Sequence, residues 1–160
     1  MNGTRASWEP GSTLLMGRYP LVCRVTETQT HGSYSLVEQT MPRRSLVMPH
    51  VHEAHDQLKI VLVGTVGFYL DGDEFTAGPG EFVLTPRRLP HAVWNAGDQD
   101  CTFGELTSPG GFETYFGKFA GLADSPDNNL ASRSAMAAAY GVQFLPDIAE
   151  ALINKHGLEL

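Results

Sequence analysis

Between Ser33 and Leu106 glycine, proline and Asp-Gly signals cut the chain into short apolar runs, which excludes long helices through its middle. The runs are Ser33–Thr40, Leu46–Val51, Leu58–Val63, Val66–Asp71, Glu74–Thr76, Phe82–Thr85, His91–Asn95 and Thr102–Leu106. In "YLDGDEF" the Asp-Gly pair tolerates the positive φ angles of a tight hairpin. Many short strands at this spacing predict an all-β sandwich or small barrel.

The flanks read differently. Residues 1–31 are polar and broken by Gly and Pro, an arm with one short strand at most. After "SPGG" the period changes: Phe112, Tyr115, Phe116 and Phe119 fall at i, i+3, i+4 and i+7, one stripe of a helix packed on the outside of the barrel. A second helix is expected from Ser132, as N-cap, to Tyr140, with Gly141 as its C-cap, and a third after Pro146. The expected organisation is an arm (1–31), a β-barrel (32–108) and a helical extension packed on it (109–160).

A chain of 160 residues suits one domain with a real core. A net charge of −7 and the lack of a basic stripe argue against a nucleic-acid partner. No signal core or membrane-length apolar stretch is present, so a cytoplasmic protein off the membrane is expected. Cys23 and Cys101 lie in no metal or redox spacing and read as reduced, packed thiols.

"PHVHEAHDQLKIVLVG", residues 49–64, places His50, His52 and His55 just ahead of a strand. In an extended segment residues i and i+2 share a face, so His50 and His52 project together with a bite suited to a divalent metal. "GPGEFVLTPRRLPHAVWN" offers a third imidazole, His91, again at the start of a strand. His55, three residues after His52, belongs to the loop and is carried as a second-rank candidate for touching metal or substrate.

These two segments resemble the paired motifs of the cupin superfamily: His-x-His with a closing Gly64, then Gly80, Pro86, His91 and Asn95 at the second motif's spacing. The similarity runs from about Gly32 to Phe119 and is nearest to small single-domain cupins of the quercetin-dioxygenase-like group. The resemblance implies a jelly-roll β-barrel or sandwich and one divalent transition metal ion (Mn, Fe, Co, Ni or Zn) held by His50, His52, Gln57 and His91. It also implies a homodimer.

Two positions depart from the family pattern. Gln57 stands where the family usually carries Glu, and Arg88 replaces a common Gly. An amide oxygen can ligate but cannot act as a carboxylate base. With Gln57 inward, strand alternation sends Lys59 and Val61 inward too, and turns Leu58, Ile60 and Leu62 towards a second sheet. Lys59 is therefore the expected catalytic group, beside His55. Phe68 or Tyr69, Phe82 or Val83, and Val93 would make the cavity mostly apolar. Glu105 is expected outward and solvated.

The expected function is a metal-dependent enzyme acting on an aromatic, polyphenolic or polyketide-like small molecule, by dioxygenase chemistry. The alternatives are redox-neutral Lewis-acid catalysis (cyclase, isomerase or lyase), favoured by a ligand shell without charge, and a non-catalytic metal- or ligand-binding cupin.

Overall fold

The eight expected runs appear as nine short strands, because Leu46–Val51 divides into two, and the flanks add more. The computed structural model describes residues 10–123 and 125–160. Its strands are β1 (Thr13–Met16), β2 (Tyr19–Val25), β3 (Ser35–Met41), β4 (Ser45–Leu46), β5 (His50–His52), β6 (Asp56–Val63), β7 (Val66–Leu70), β8 (Asp73–Ala77), β9 (Phe82–Thr85), β10 (His91–Asn95), β11 (Cys101–Ser108) and β12 (Val142–Phe144). The helices are α1 (Glu113–Ala123), α2 (Leu130–Ala139) and α3 (Pro146–His156).

The strands form two sheets, in the orders β1-β2-β3-β11-β6-β9 and β12-β5-β10-β7-β8, with β4 beside β10 in the second. The named pairings are antiparallel. Sheet-on-sheet stacking buries one face of each, and Met41, Val61, Val66, Phe68, Val93 and Phe103 fill the space between them. The architecture is a jelly-roll sandwich; its two sheets do not close into one continuous barrel.

All five residues of β10 are buried, which requires a cover on each side. Val93 faces the sandwich interior, while Ala92 and Trp94 join Leu46, Ala149, Leu152 and Leu158 in a separate cluster under α3. A third cluster joins Leu21 and Val37 to Phe112, Phe116 and Val142.

Several flank expectations are corrected. The residues read as an arm supply two strands: β2 pairs with β3, and Leu21 and Cys23 are fully buried. The stretch 1–9 lies outside the described residues. The cap of α2 is Asn129, whose side chain accepts from the Ser132 backbone N–H, and its C-cap is Tyr140. β12 was not expected; it adds to the free edge of β5. Leu58, Ile60 and Leu62 do not meet a second sheet. They lie on the outer face, where Leu62, Phe82 and Leu84 are exposed. Both cysteines, Cys23 and Cys101, are buried. Among the described residues no helix is long and apolar enough to cross a membrane.

Candidate metal centre

β5 and β10 run antiparallel with His50 opposite His91, so their side chains meet on one face of the sheet. His52 joins them from two residues along the same strand. Ring centroids lie 4.4 Å apart for His50–His91, 4.8 Å for His50–His52 and 5.3 Å for His52–His91. One candidate ligand atom from each ring lies within 4.8 Å of the others.

The backbone fixes which nitrogen faces inward. His50 Nδ1 lies 2.6 Å from the Met48 carbonyl and His91 Nδ1 lies 3.1 Å from the Leu89 carbonyl. A carbonyl only accepts, so each Nδ1 carries the proton and each Nε2 is left with a bare lone pair. His91 Nε2 is buried and meets no hydrogen-bond partner among the described residues, and His50 Nε2 lies 3.1 Å from His52 Nε2. Two nitrogens bound to one ion at about 2.1 Å, at right angles, would be about 3.0 Å apart. The three rings fit a divalent metal.

Electrostatics point the same way. Burial, which penalises the imidazolium, holds the His50 pKa down to about 4 and that of His91 to about 2. His52 is pushed lower still, by burial first and then by His50 and His91. All three are neutral, ligand-competent imidazoles at physiological pH.

His55 stands apart. The chain bends after His52, and the His55 ring ends 6.0 Å from His52 and 5.2 Å from Phe112. It belongs neither to the three-histidine group nor to the lining of the adjoining cavity. The loop that separates β5 from β6 has turned it aside.

That cavity, of about 230 Å³, has His50 and His91 on its wall. Much of the rest is aromatic or aliphatic: Phe112 just ahead of α1, Tyr115, Phe116 and Phe119 from α1, and Val142 and Phe144 from β12. The helix stripe expected to pack outside the sandwich thus forms part of the cavity wall, and Phe112 stands edge-on to His52 at 4.7 Å.

The cavity's polar end is Gln57, Lys59 and Glu105. Gln57 and Lys59 are each 2 % exposed, as strand alternation along β6 requires. Lys59 Nζ donates to Gln57 Oε1 at 2.7 Å and to Thr85 Oγ1 at 3.0 Å, and lies 3.2 Å from Glu105 Oε2. Glu105 is buried, which corrects the expectation of a solvated carboxylate. It sits directly across the β6–β11 ladder from Lys59. Burial lowers the Lys59 pKa, and Glu105 opposes that shift.

Sequence reasoning missed Glu105 and Thr85. For Glu105 a signal was present: it shares strand phase with Cys101 and Phe103, both fully apolar in character and buried. The Thr85–Gln57 pairing came from strand register, which no local pattern fixes.

Residues 37–107 match the family model of the cupin domain. The two-motif histidine site lies inside that match. This segment is a cupin domain. A relative, quercetin 2,3-dioxygenase of Bacillus subtilis, is 27 % identical over 106 residues, which are 66 % of this chain and 31 % of the relative. The chain therefore spans about a third of that protein's length. Among solved structures, a predicted oxalate decarboxylase from Thermotoga maritima superposes with a TM-score of 0.57 at 18 % identity, covering 68 % of this chain and 99 % of the other. KdgF from Halomonas sp. gives 0.52 at 24 % identity, covering 59 % and 82 %. At these identities the likenesses speak for the cupin fold alone.

The remaining cupin-motif residues have structural work. Asn95 Nδ2 donates to the carbonyls of Met41 and Gln99, and its Oδ1 accepts from Gly97 N–H, which locks the turn after β10. Arg88, at the position of the usual Gly, has φ 67°. That left-handed conformation explains a glycine preference there.

Proposed function

We propose that the chain is a divalent-metal-dependent cupin enzyme acting on a small, largely apolar organic molecule by dioxygenase chemistry. The observation that carries this reading is the convergence of His50, His52 and His91, with His50 and His91 on the wall of a largely apolar cavity. The relative named for quercetin dioxygenation supports the aromatic or polyphenolic substrate class.

His50, His52 and His91 would hold one ion, of Mn, Fe, Co, Ni or Zn type. When bound, that ion polarises substrate oxygen and, where its redox chemistry allows, engages dioxygen. The chain's own residues do the rest. Met48 and Leu89 carbonyls hold two of the rings in the ligating tautomer, as supporting partners do in metal sites generally. Phe112, Tyr115 and Phe116 exclude water and offer ring faces to a flat substrate. Lys59, the sequence's candidate base, has each of its three N–H groups facing an acceptor, so it acts by organising the polar end of the cavity.

A neutral three-imidazole set supports a second reading, redox-neutral Lewis-acid catalysis, because it leaves the full charge of the ion in the site. The decisive experiment is metal analysis of the purified protein with oxygen uptake on a panel of polyphenols and polyketides. Uptake strictly dependent on substrate and metal supports the dioxygenase; substrate turnover without uptake moves the assignment to the second reading. The homodimer implied by the family resemblance is part of this proposal and is checked by light scattering.

A further inference from the structure

Resting on the three-histidine reading, we infer that Gln57 is not a fourth metal ligand but a hydrogen-bond donor to an oxygen atom of the substrate, held in that orientation by Lys59. The argument turns on which end of the amide faces which neighbour. An ammonium carries donors and no acceptor, so the Gln57 atom 2.7 Å from Lys59 Nζ is the carbonyl oxygen Oε1. Only that oxygen could ligate a metal; the amide nitrogen, with its lone pair delocalised, does not.

Lys59 cannot turn away to release it. Its other hydrogens face Thr85 Oγ1 and Glu105 Oε2, and Thr85 Oγ1 in turn donates to the Gln57 main-chain carbonyl at 3.2 Å, which holds the Lys59 acceptor in place. Lys59 and Gln57 are adjacent on one face of β6, Thr85 pairs with Gln57 from β9, and Glu105 pairs with Lys59 from β11. Three strands therefore fix one amide.

The opposite end of the amide, Nε2, hydrogen-bonds to no described side chain, and Gln57 lines the cavity with His50 and His91. A primary amide there presents two N–H donors to the cavity. The ligand that satisfies them carries an acceptor oxygen: an enolate, phenolate, ketone or carboxylate. A glutamate at this position would present only acceptors and repel such an oxygen. The departure from the family pattern thus selects the polarity of the substrate atom placed beside the histidines.

The test uses the full chain, cobalt(II) and 4-nitrocatechol, a chromogenic phenol. Cobalt(II) affinity and its d–d spectrum are measured for the wild type, Gln57→Leu and His91→Ala, with circular dichroism to check folding. The expected result for Gln57→Leu is an unchanged spectrum and an affinity within about fivefold of wild type, less than the roughly tenfold or more that even a supporting partner of a ligand contributes. A larger loss or an altered spectrum makes Gln57 a ligand and overturns the inference. Binding of 4-nitrocatechol to the cobalt(II) form should weaken about tenfold in Gln57→Leu, the worth of one hydrogen bond to a charged oxygen. Unchanged binding also overturns it. Should the leucine variant fail to fold, Gln57→Met, which likewise lacks N–H groups, carries the same two measurements. Wild-type cobalt affinity in His91→Ala would instead bring down the three-histidine reading on which the inference stands.

Discussion

Lys59 and Glu105 face each other across the β6–β11 ladder, Nζ to Oε2 3.2 Å, with side chains 2 % and 6 % exposed. Removing one partner strands a charge in the interior. Lys59→Met or Glu105→Leu alone should lower stability by about 3–5 kcal/mol, whereas the double substitution should recover most of the loss. Urea unfolding of the three variants measures this, and additive losses in the double variant would show that the two groups are not coupled.

The three imidazoles should be equivalent for metal retention. Alanine at His50, His52 or His91 should each reduce bound metal severely, and alanine at His55 should leave it close to wild type, because His55 lies outside the group. Elemental analysis after dialysis decides; strong loss in the His55 variant would place that ring on the ion.

Acid should destabilise the metal-free protein in a defined window. Burial first, with neighbouring charges adding to it, depresses the folded pKa of His50 to about 4 and of His52 and His91 further, while the unfolded chain protonates near 6.5. The folded state binds fewer protons, so this contribution is complete above pH 6.5 and is lost as pH falls towards 4. His50 alone accounts for something on the order of 3 kcal/mol. The Tm of chelator-treated protein should drop steadily across that interval; a flat Tm from pH 7 to 4.5 would contradict the neutral-imidazole description.

Phe112 contacts both the site and α1, edge-on to His52 at 4.7 Å and stacked on Tyr115 at 5.0 Å. Phe112→Ala should cost about 3 kcal/mol of stability and weaken aromatic ligands more than it weakens metal. Calorimetric titration of metal and of a phenolic ligand separates the two effects, and equal losses would argue for general loosening.

Arg88→Gly should be neutral or slightly stabilising. It relieves a left-handed conformation worth about 1 kcal/mol and gives up only an exposed pairing with Glu53. Thermal melting tests this, and a clear fall in Tm would show that the Arg88–Glu53 pair matters more than its exposure suggests.

Much of this was legible in the sequence because period-2 patterning is local. Turn signals located the runs, and His50 and His52 had to share a face once the segment was extended. The same alternation placed Gln57 and Lys59 together. What escaped depends on register between distant strands. Glu105 opposite Lys59, and Thr85 opposite Gln57, are pairings that no single segment encodes. β12 escaped for a related reason: three residues between two helices carry too little pattern, and they become a strand because β5 offers an open edge.

The position of β12 also orders events during synthesis. His50, His52 and His91 leave the ribosome well before Val142–Phe144, the strand that borders β5 and supplies cavity-wall residues. A nascent chain that stops short of Phe144 carries the imidazoles without the enclosure that selects what reaches them. The wall of the cavity is thereby completed only at the late, C-terminal stage of folding, after the strands that carry the imidazoles.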